Sequence, residues 1–292
     1  MVGHSAPIWG DRYRVGYWAY ELERIPDDWI PAIRLFNEIW APSRFVADAI
    51  LAAAGDMAPI VRVVPHPQPN RDAIRPERSR FGIDDRFTCL CMFDGRSTLA
   101  RKNPMGAVAA FKSAFTPDAH AALIVKAVEV SAEPRALAEL QAAASGWPNI
   151  RILTDHMDDD EVLSLIASVD VLISLHRSEG FGLPIAEAMT LGVPALVTDW
   201  SGSTEFAEGA VVPVPYRLVP VTDPSRRYER PGMRWAEPDL DAAASALRRL
   251  AAEPAWRAEL SAAARRLAAE RLQHPIDAPH LKRFIAASEN SP

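Results

Sequence analysis

Residues 170 to 199, DVLISLHRSEGFGLPIAEAMTLGVPALVTD, leave a folding chain few choices. Asp170 opens a short apolar run, Val171 to Leu175, whose length and turn-bounded ends suit a buried parallel strand. His176, Arg177, Ser178 and Glu179 then lead into Gly180-Phe181-Gly182. Pro184 falls at the first turn of a helix, where its missing N–H leaves nothing unsatisfied, and Ile185 to Leu191 continues that helix. Gly192 stops it, Pro194 follows, and Ala195 to Thr198 forms a second buried strand. The segment is therefore a strand-turn-helix-strand unit.

The turn carries the chemistry. Glycines at a helix mouth let the backbone approach a ligand closely, and the free N–H groups of the first turn favour an anion such as phosphate. Glu179 and Glu187, eight positions apart, flank that turn. Carboxylates accept hydrogen bonds and sugar or ribose hydroxyls donate them, so the pattern suits a nucleotide sugar. Each acid also has a plainer role. Glu179 can fix the turn by accepting backbone N–H bonds, and Glu187 is an early-helix acid favoured by the macrodipole.

The same alternation runs through the rest of the chain. The stretch Arg14 to Leu22 reads as a strand running into a polar turn. Further strands are expected at Glu38 to Pro42, Val61 to Val64, Phe87 to Phe93, Ala121 to Val128, Asn149 to Leu153 and Ala210 to Val214. Helices are expected at Asp27 to Asn37, Arg44 to Ala54 after an N-cap at Ser43, Asn103 to Phe115, Pro134 to Ala144, Asp159 to Ala167, Leu240 to Ala252 and Trp256 to Arg271. Ser203 or Thr204 can start a further short helix, and 216–237, rich in Pro and Arg, is expected to be a long loop. Strands alternating with helices mean a mostly parallel sheet covered on both faces, with ligands at the carboxyl ends of its strands. The proline-rich connector after Val64 marks a division into residues 1–60, a second unit over 61–275, and a tail at 276–292.

Composition removes several classes. With 292 residues, 49% of them apolar, the chain can build one large or two modest cores, and a net charge of −6 gives no global basic field for nucleic acid. No apolar run spans a membrane and the opening MVGHSAPIWGDRYR has no signal-peptide core, so a cytoplasmic protein is expected. Cys89 and Cys91 read as buried reduced thiols. A dinucleotide-dependent oxidoreductase is disfavoured, because no G-x-G-x-x-G opens a first strand-helix turn. Asp158-Asp159-Asp160 reads as a helix cap and first-turn dipole partner before it reads as a metal site. Lys126 interrupts an apolar strand and either reaches the crevice or snorkels, while His176 suits a ligand donor and a structural role equally.

Glu179, Gly180-Phe181-Gly182-Leu183-Pro184 and Glu187 closely resemble the E-x7-E signature of glycosyltransferase family 4, retaining enzymes of the GT-B fold. The segments GYWAYELERIPDDWI, NEIWAPSRFVADAI and WAEP resemble one branch of that family. The resemblance implies a Rossmann-like α/β C-terminal domain that binds a nucleotide-sugar donor, preceded by a partial N-terminal α/β domain facing a hydroxyl acceptor, a glycan or glycolipid. It implies transfer of a hexosyl group with retention, in polysaccharide or glycoconjugate synthesis, with no cofactor and no obligatory metal. Glu187 would then hold the ribose, Glu179 the transferred sugar, and Gly180, Phe181, Gly182 and Leu183 would line sugar and phosphates.

Arg96 and Lys102 resemble the Arg and Lys that hold the pyrophosphate in the wider family, where one grips two oxygens and the other acts as a point charge. The branch pattern F-D-x-x-S-x-x-x-R-K-N-P also fits residues 93–104, which makes Arg101 the substitute for Arg96. The base would lie near Thr154 to His156. Many family members use a histidine from the N-terminal domain against the donor sugar, a place that Trp18 or Glu21 would take here. Only about 60 residues precede the expected second domain, so a shortened N-terminal domain is expected. It leaves a sheet edge that a second copy or a partner chain could cover. Association with the inner face of the membrane is compatible with this setting. The other class of reading is a non-catalytic fragment or subunit that binds nucleotide sugar without a complete acceptor site.

Overall fold

The computed structural model describes residues 12–130 and 134–273. The tail expected at 276–292 lies outside the described residues. Three sheets organise the described residues. The first is small and parallel, ordered β1 (Val15–Tyr17), β2 (Glu38–Ala41), β3 (Ile60–Val63). Helix α1 (Ile30–Ile33) and helix α2 (Arg44–Ala54) pack with it. Ser43 caps α2, accepting from the Val46 N–H at 3.3 Å. The helix expected over Asp27–Asn37 is shorter, because Phe36 leaves it to pack edge-on against Trp18, 5.8 Å between rings. The strand beside the expected division, β3, pairs with β2 and so belongs to this smaller sheet.

The main sheet has six parallel strands in the order β6-β5-β4-β7-β8-β9. They are β4 (Phe87–Asp94), β5 (Ala121–Val128), β6 (Ile150–Leu153), β7 (Val171–Ser174), β8 (Ala195–Thr198) and β9 (Val212–Val214). The helices between them are α3 (Leu99–Lys102), α4 (Pro104–Ala114), α5 (Pro134–Ala144), α6 (Asp159–Ala167), α7 (Leu183–Leu191) and α8 (Thr204–Ala207). Strand periodicity explains the two-sided core. Leu90, Ile124 and Leu172 face α6, α7 and the final helix α10 (Pro254–Arg271), while Cys89, Cys91, Leu123 and Ile173 face α4, α5 and α9 (Leu240–Ala252). Both thiols are free and buried, and burial pushes each well up from its ordinary value. Asp158 closes a capping box with Glu161 at the start of α6.

The 216–237 segment departs from the loop expected of it. Its ends pair as an antiparallel ribbon, β10 (Tyr216–Pro220) with β11 (Arg234–Pro238). Prolines at both ends and a long intervening segment hide that pairing from local sequence. The ribbon and its connecting segment place Val221, Tyr228, Met233 and Trp235 in the same apolar cluster as Tyr20, Leu22, Ile33, Ile39 and Ile50. The N-terminal unit therefore completes its core with side chains from far later in the chain.

Candidate active site

The site is assembled at the carboxyl ends of β4 and β7. The turn after β7 reaches Gly182, whose φ of 99° only glycine adopts without strain, and α7 begins there with no side-chain cap. The N–H groups of Gly180, Phe181 and Gly182 make no hydrogen bond with the described residues. They form an open donor array at a nine-residue helix mouth. The turn is clamped from outside. Ser43 donates to the Gly180 carbonyl at 2.6 Å, Ser178 donates to the Glu21 carbonyl, and the Glu179 N–H donates to Ser201 Oγ at 2.8 Å.

Glu179 is buried, and its two oxygens are held by different cations. Lys102 Nζ donates to Oε1, and Arg101 Nη1 lies 3.1 Å from Oε2. Burial opposes ionisation of this carboxyl, but Lys102 and then Arg101 overcome it and hold the group at about 2. Arg101, only 2% exposed, also donates to the Ser178 carbonyl at 2.8 Å and lies 3.4 Å from Glu21. Its guanidinium sits 5.6 Å from the ring centre of Tyr228, whose hydroxyl donates to Glu21 at 2.7 Å. Burial lowers the Arg101 pKa, yet Glu179 and Glu21 outweigh it and the guanidinium is held above its ordinary value.

Glu187 stands one turn into α7, half-buried. Burial raises its carboxyl to about 7, with the Arg71 charge working against that rise. Leu183 at the mouth is 44% exposed, and the Phe181 ring is buried against Phe206, 4.8 Å away. Phe181 thus offers the crevice its backbone and gives its side chain to the core.

Three other sequence candidates stand apart from this cluster. Arg96 is turned away, with its side chain 73% exposed and paired to Asp94 at 2.6 Å. Its place beside Glu179 is taken by Arg101, because the short helix α3 rolls residue 101 inward and leaves Arg96 outside. His176 is fully buried with one ring nitrogen 3.1 Å from Ser174 Oγ and the other 3.3 Å from the Trp200 carbonyl. Desolvation lowers it to about 4, so it is a neutral structural ring at ordinary pH. Thr154 is exposed after the edge strand β6. The adjoining Asp155 carbonyl accepts from buried Lys126, whose pKa falls by desolvation. Lys126 therefore ties the 154–156 loop to the sheet rather than snorkelling.

Trp18 is half-buried between Phe36 and Trp29. Glu21, by contrast, reaches the cluster through Arg101. Tyr228 and Arg71 were not singled out by sequence. Arg71 lies in the charged connector, and no local signal distinguishes Tyr228 from its polar neighbours. His66, in the proline-rich connector, stands edge-on to Phe181 at 5.1 Å, with Nδ1 3.3 Å from the Tyr17 hydroxyl.

A family profile described as family 4 glycosyltransferase in conflict systems matches residues 46–274 of this chain. The chain belongs to that family. No curated protein matches it in sequence. Among solved structures, a glycosyltransferase from Rickettsia africae superposes with a TM-score of 0.71 at 15% identity, over 98% of this chain and 73% of that one. Anabaena HepE, solved with UDP and glucose, superposes with a TM-score of 0.68 at 17% identity, over 96% of this chain and 72% of that one. Sucrose-phosphate synthase from Thermosynechococcus elongatus gives 0.64 at 19% identity, over 88% and 60% of the two chains. At such identities the likeness speaks for the fold, a Rossmann-like α/β arrangement of the GT-B type. Among the described residues this glycosyltransferase has no helix long and apolar enough to cross a membrane.

Proposed function

We propose that this glycosyltransferase moves a hexosyl group from a nucleoside-diphosphate sugar to a hydroxyl acceptor with retention of configuration, in the assembly of a polysaccharide or glycoconjugate. The observation that carries the reading is the buried Glu179 carboxylate, held by Lys102 and Arg101 beside the uncapped mouth of α7. Anabaena HepE has been solved with UDP-glucose, which supports a nucleotide sugar as the donor class.

In this reading the diphosphate sits on the free N–H groups of Gly180 to Gly182 and draws Lys102 toward it, as stabilisation of a leaving group requires. Glu187 accepts from the ribose hydroxyls. Glu179, ionised at any working pH, positions the transferred sugar while Arg101 keeps its second oxygen fixed. The bond between the anomeric carbon and the phosphate oxygen breaks with its electrons leaving on the diphosphate. The acceptor oxygen bonds to the same face of that carbon, and its proton passes to the departing phosphate. No protein nucleophile and no metal takes part. The donor domain begins after β3, and the smaller sheet supplies the acceptor side.

Calorimetric titration with UDP, GDP, ADP and their glucose conjugates tests the reading, followed by assay of sugar release from whichever binds. Binding with slow hydrolysis is expected. Failure of every member to bind a folded chain would overturn it. The small N-terminal sheet, three strands among the described residues, favours a second reading as a donor-binding subunit. Binding without turnover in the presence of acceptors would select that one.

A further inference from the structure

The loop leaving β8 gathers polar groups that have no partner among the described residues. Thr198 Oγ1, Trp200 Nε1 and Ser203 Oγ are all buried and unbonded, within six residues of one another. Buried polar groups are nearly always paired in folded proteins, because an orphan forfeits its bonds to water and gains nothing in return. Thr198 and Ser203 line a cavity of about 410 Å³ whose rim carries Asp199 and Glu208. Neither of these carboxylates makes a hydrogen bond or ion pair with the described residues, whereas the nearby Glu205 is committed to the N–H groups of Arg44 and Phe45 at 2.8 Å each.

An aromatic ledge adjoins the rim. Trp200 packs against Phe45 at 5.7 Å and against Tyr216 at 5.3 Å, and Tyr216 is 37% exposed. Burial and the neighbouring Asp199 charge raise the Tyr216 phenol. The loop backbone is meanwhile held firmly, since His176 lies on the Trp200 carbonyl and the Gly202 N–H donates to the Glu179 carbonyl at 2.9 Å. Thus the side chains await partners while the main chain is already fixed to the candidate active site.

The chemistry of this surface selects a ligand class. Among the described residues no basic side chain lines the cavity, so a phosphate or carboxylate is disfavoured. Free carboxylates accept from hydroxyls, the Thr198 and Ser203 hydroxyls that line the cavity donate to ring or ring-substituent oxygens, and aromatic faces cover the C–H faces of a pyranose. We propose that the cavity at 198–213 and the Trp200–Tyr216 ledge bind a neutral oligosaccharide, the arm of the acceptor that extends beyond the sugar receiving the transfer. The role as acceptor arm rests on the transferase reading; the binding of carbohydrate does not. The placement gives a chain with a small N-terminal sheet an acceptor surface on its donor-side domain, one loop away from Glu179.

The test uses the full chain, labelled with ¹⁵N, and three probes: maltohexaose, cellohexaose and chitohexaose. The Trp200 indole resonance, assigned with Trp200→Phe, should shift on titration with at least one of them. Asp199→Ala and Tyr216→Ala should each weaken that binding about tenfold. Both should leave hydrolysis of UDP-glucose unchanged, because neither residue touches the donor crevice. No shift with any probe at millimolar concentration, or wild-type affinity in both variants, overturns the proposal. Oligosaccharide binding at Trp200 in a chain that binds no nucleotide sugar would sink the donor reading and leave this site standing.

Discussion

Arg101 and Glu179 meet at 3.1 Å, 78 positions apart in sequence and with neither more than 6% exposed. A buried pair of this kind is held less by its own attraction than by the further bonds that satisfy each partner. Here Arg101 has the Ser178 carbonyl, Glu21 and the Tyr228 ring, and Glu179 has Lys102. Four separate segments of chain therefore converge on one charge.

Arg101→Met should leave the buried Glu179 to Lys102 alone and Glu21 to the Tyr228 hydroxyl alone. We expect a loss of about 3–5 kcal/mol in urea denaturation, the range for breaking one side of a buried pair. Tyr228→Phe keeps the ring over Arg101 and removes only the bond to Glu21, so it should lose no more than about 1.5 kcal/mol. Equal stability of wild type and Arg101→Met would contradict the network.

Lys102→Ala should separate diphosphate from nucleoside. Arg101 still holds Glu179 in that variant, so the fold persists while a charge at the helix mouth is gone. Affinity for UDP should drop about tenfold or more while affinity for uridine changes little. Calorimetry on both ligands decides it, and parallel losses would remove Lys102 from the diphosphate.

Glu187 makes stability depend on pH. Its native value of about 7 stands above the ordinary 4.5, chiefly through burial. Between those values the native state holds a proton that the unfolded chain has released, so stability falls as pH rises through that window. Glu187→Gln removes the slope and should gain on wild type by about 3 kcal/mol between roughly pH 5 and pH 8. Denaturation curves at both pH values that differ by a constant offset would show that the carboxyl is not desolvated.

Gly202→Ala should disturb the site without changing any charge. A Cβ there would lie 2.2 Å from the Gly180 carbonyl oxygen and 2.7 Å from Ser43 Oγ. The first is backbone and cannot swing aside, so the loop at 200–203 must move off the glycine turn. We expect a destabilisation of about 1–3 kcal/mol. Weakened nucleotide binding should accompany it, read by the same calorimetry.

Much of this was visible in local pattern. Ala121–Val128, Pro134–Ala144, Asp159–Ala167, Ala195–Thr198 and Leu240–Ala252 carry their own boundaries in apolar periodicity, caps and prolines, and they lie where sequence puts them. Glu179, the glycine turn and Glu187 are likewise contiguous, so their grouping needs only the geometry of a strand-turn-helix. Arg96 shows where that reasoning stops. Both Arg96 and Arg101 precede the same helix, and only the roll of α3 decides which one faces inward.

The sequence alone determined the parallel six-stranded unit and the anion-ready turn at its centre, because both follow from short-range periodicity and from backbone rules that act within a few residues. Tertiary structure decided the rest: that 216–238 is a ribbon closing the N-terminal core, that Tyr228 and Glu21 steady Arg101, and that His176 is spent on Ser174 and Trp200. Those outcomes depend on burial and on contacts between segments more than 200 positions apart, and no local pattern encodes how such surfaces meet.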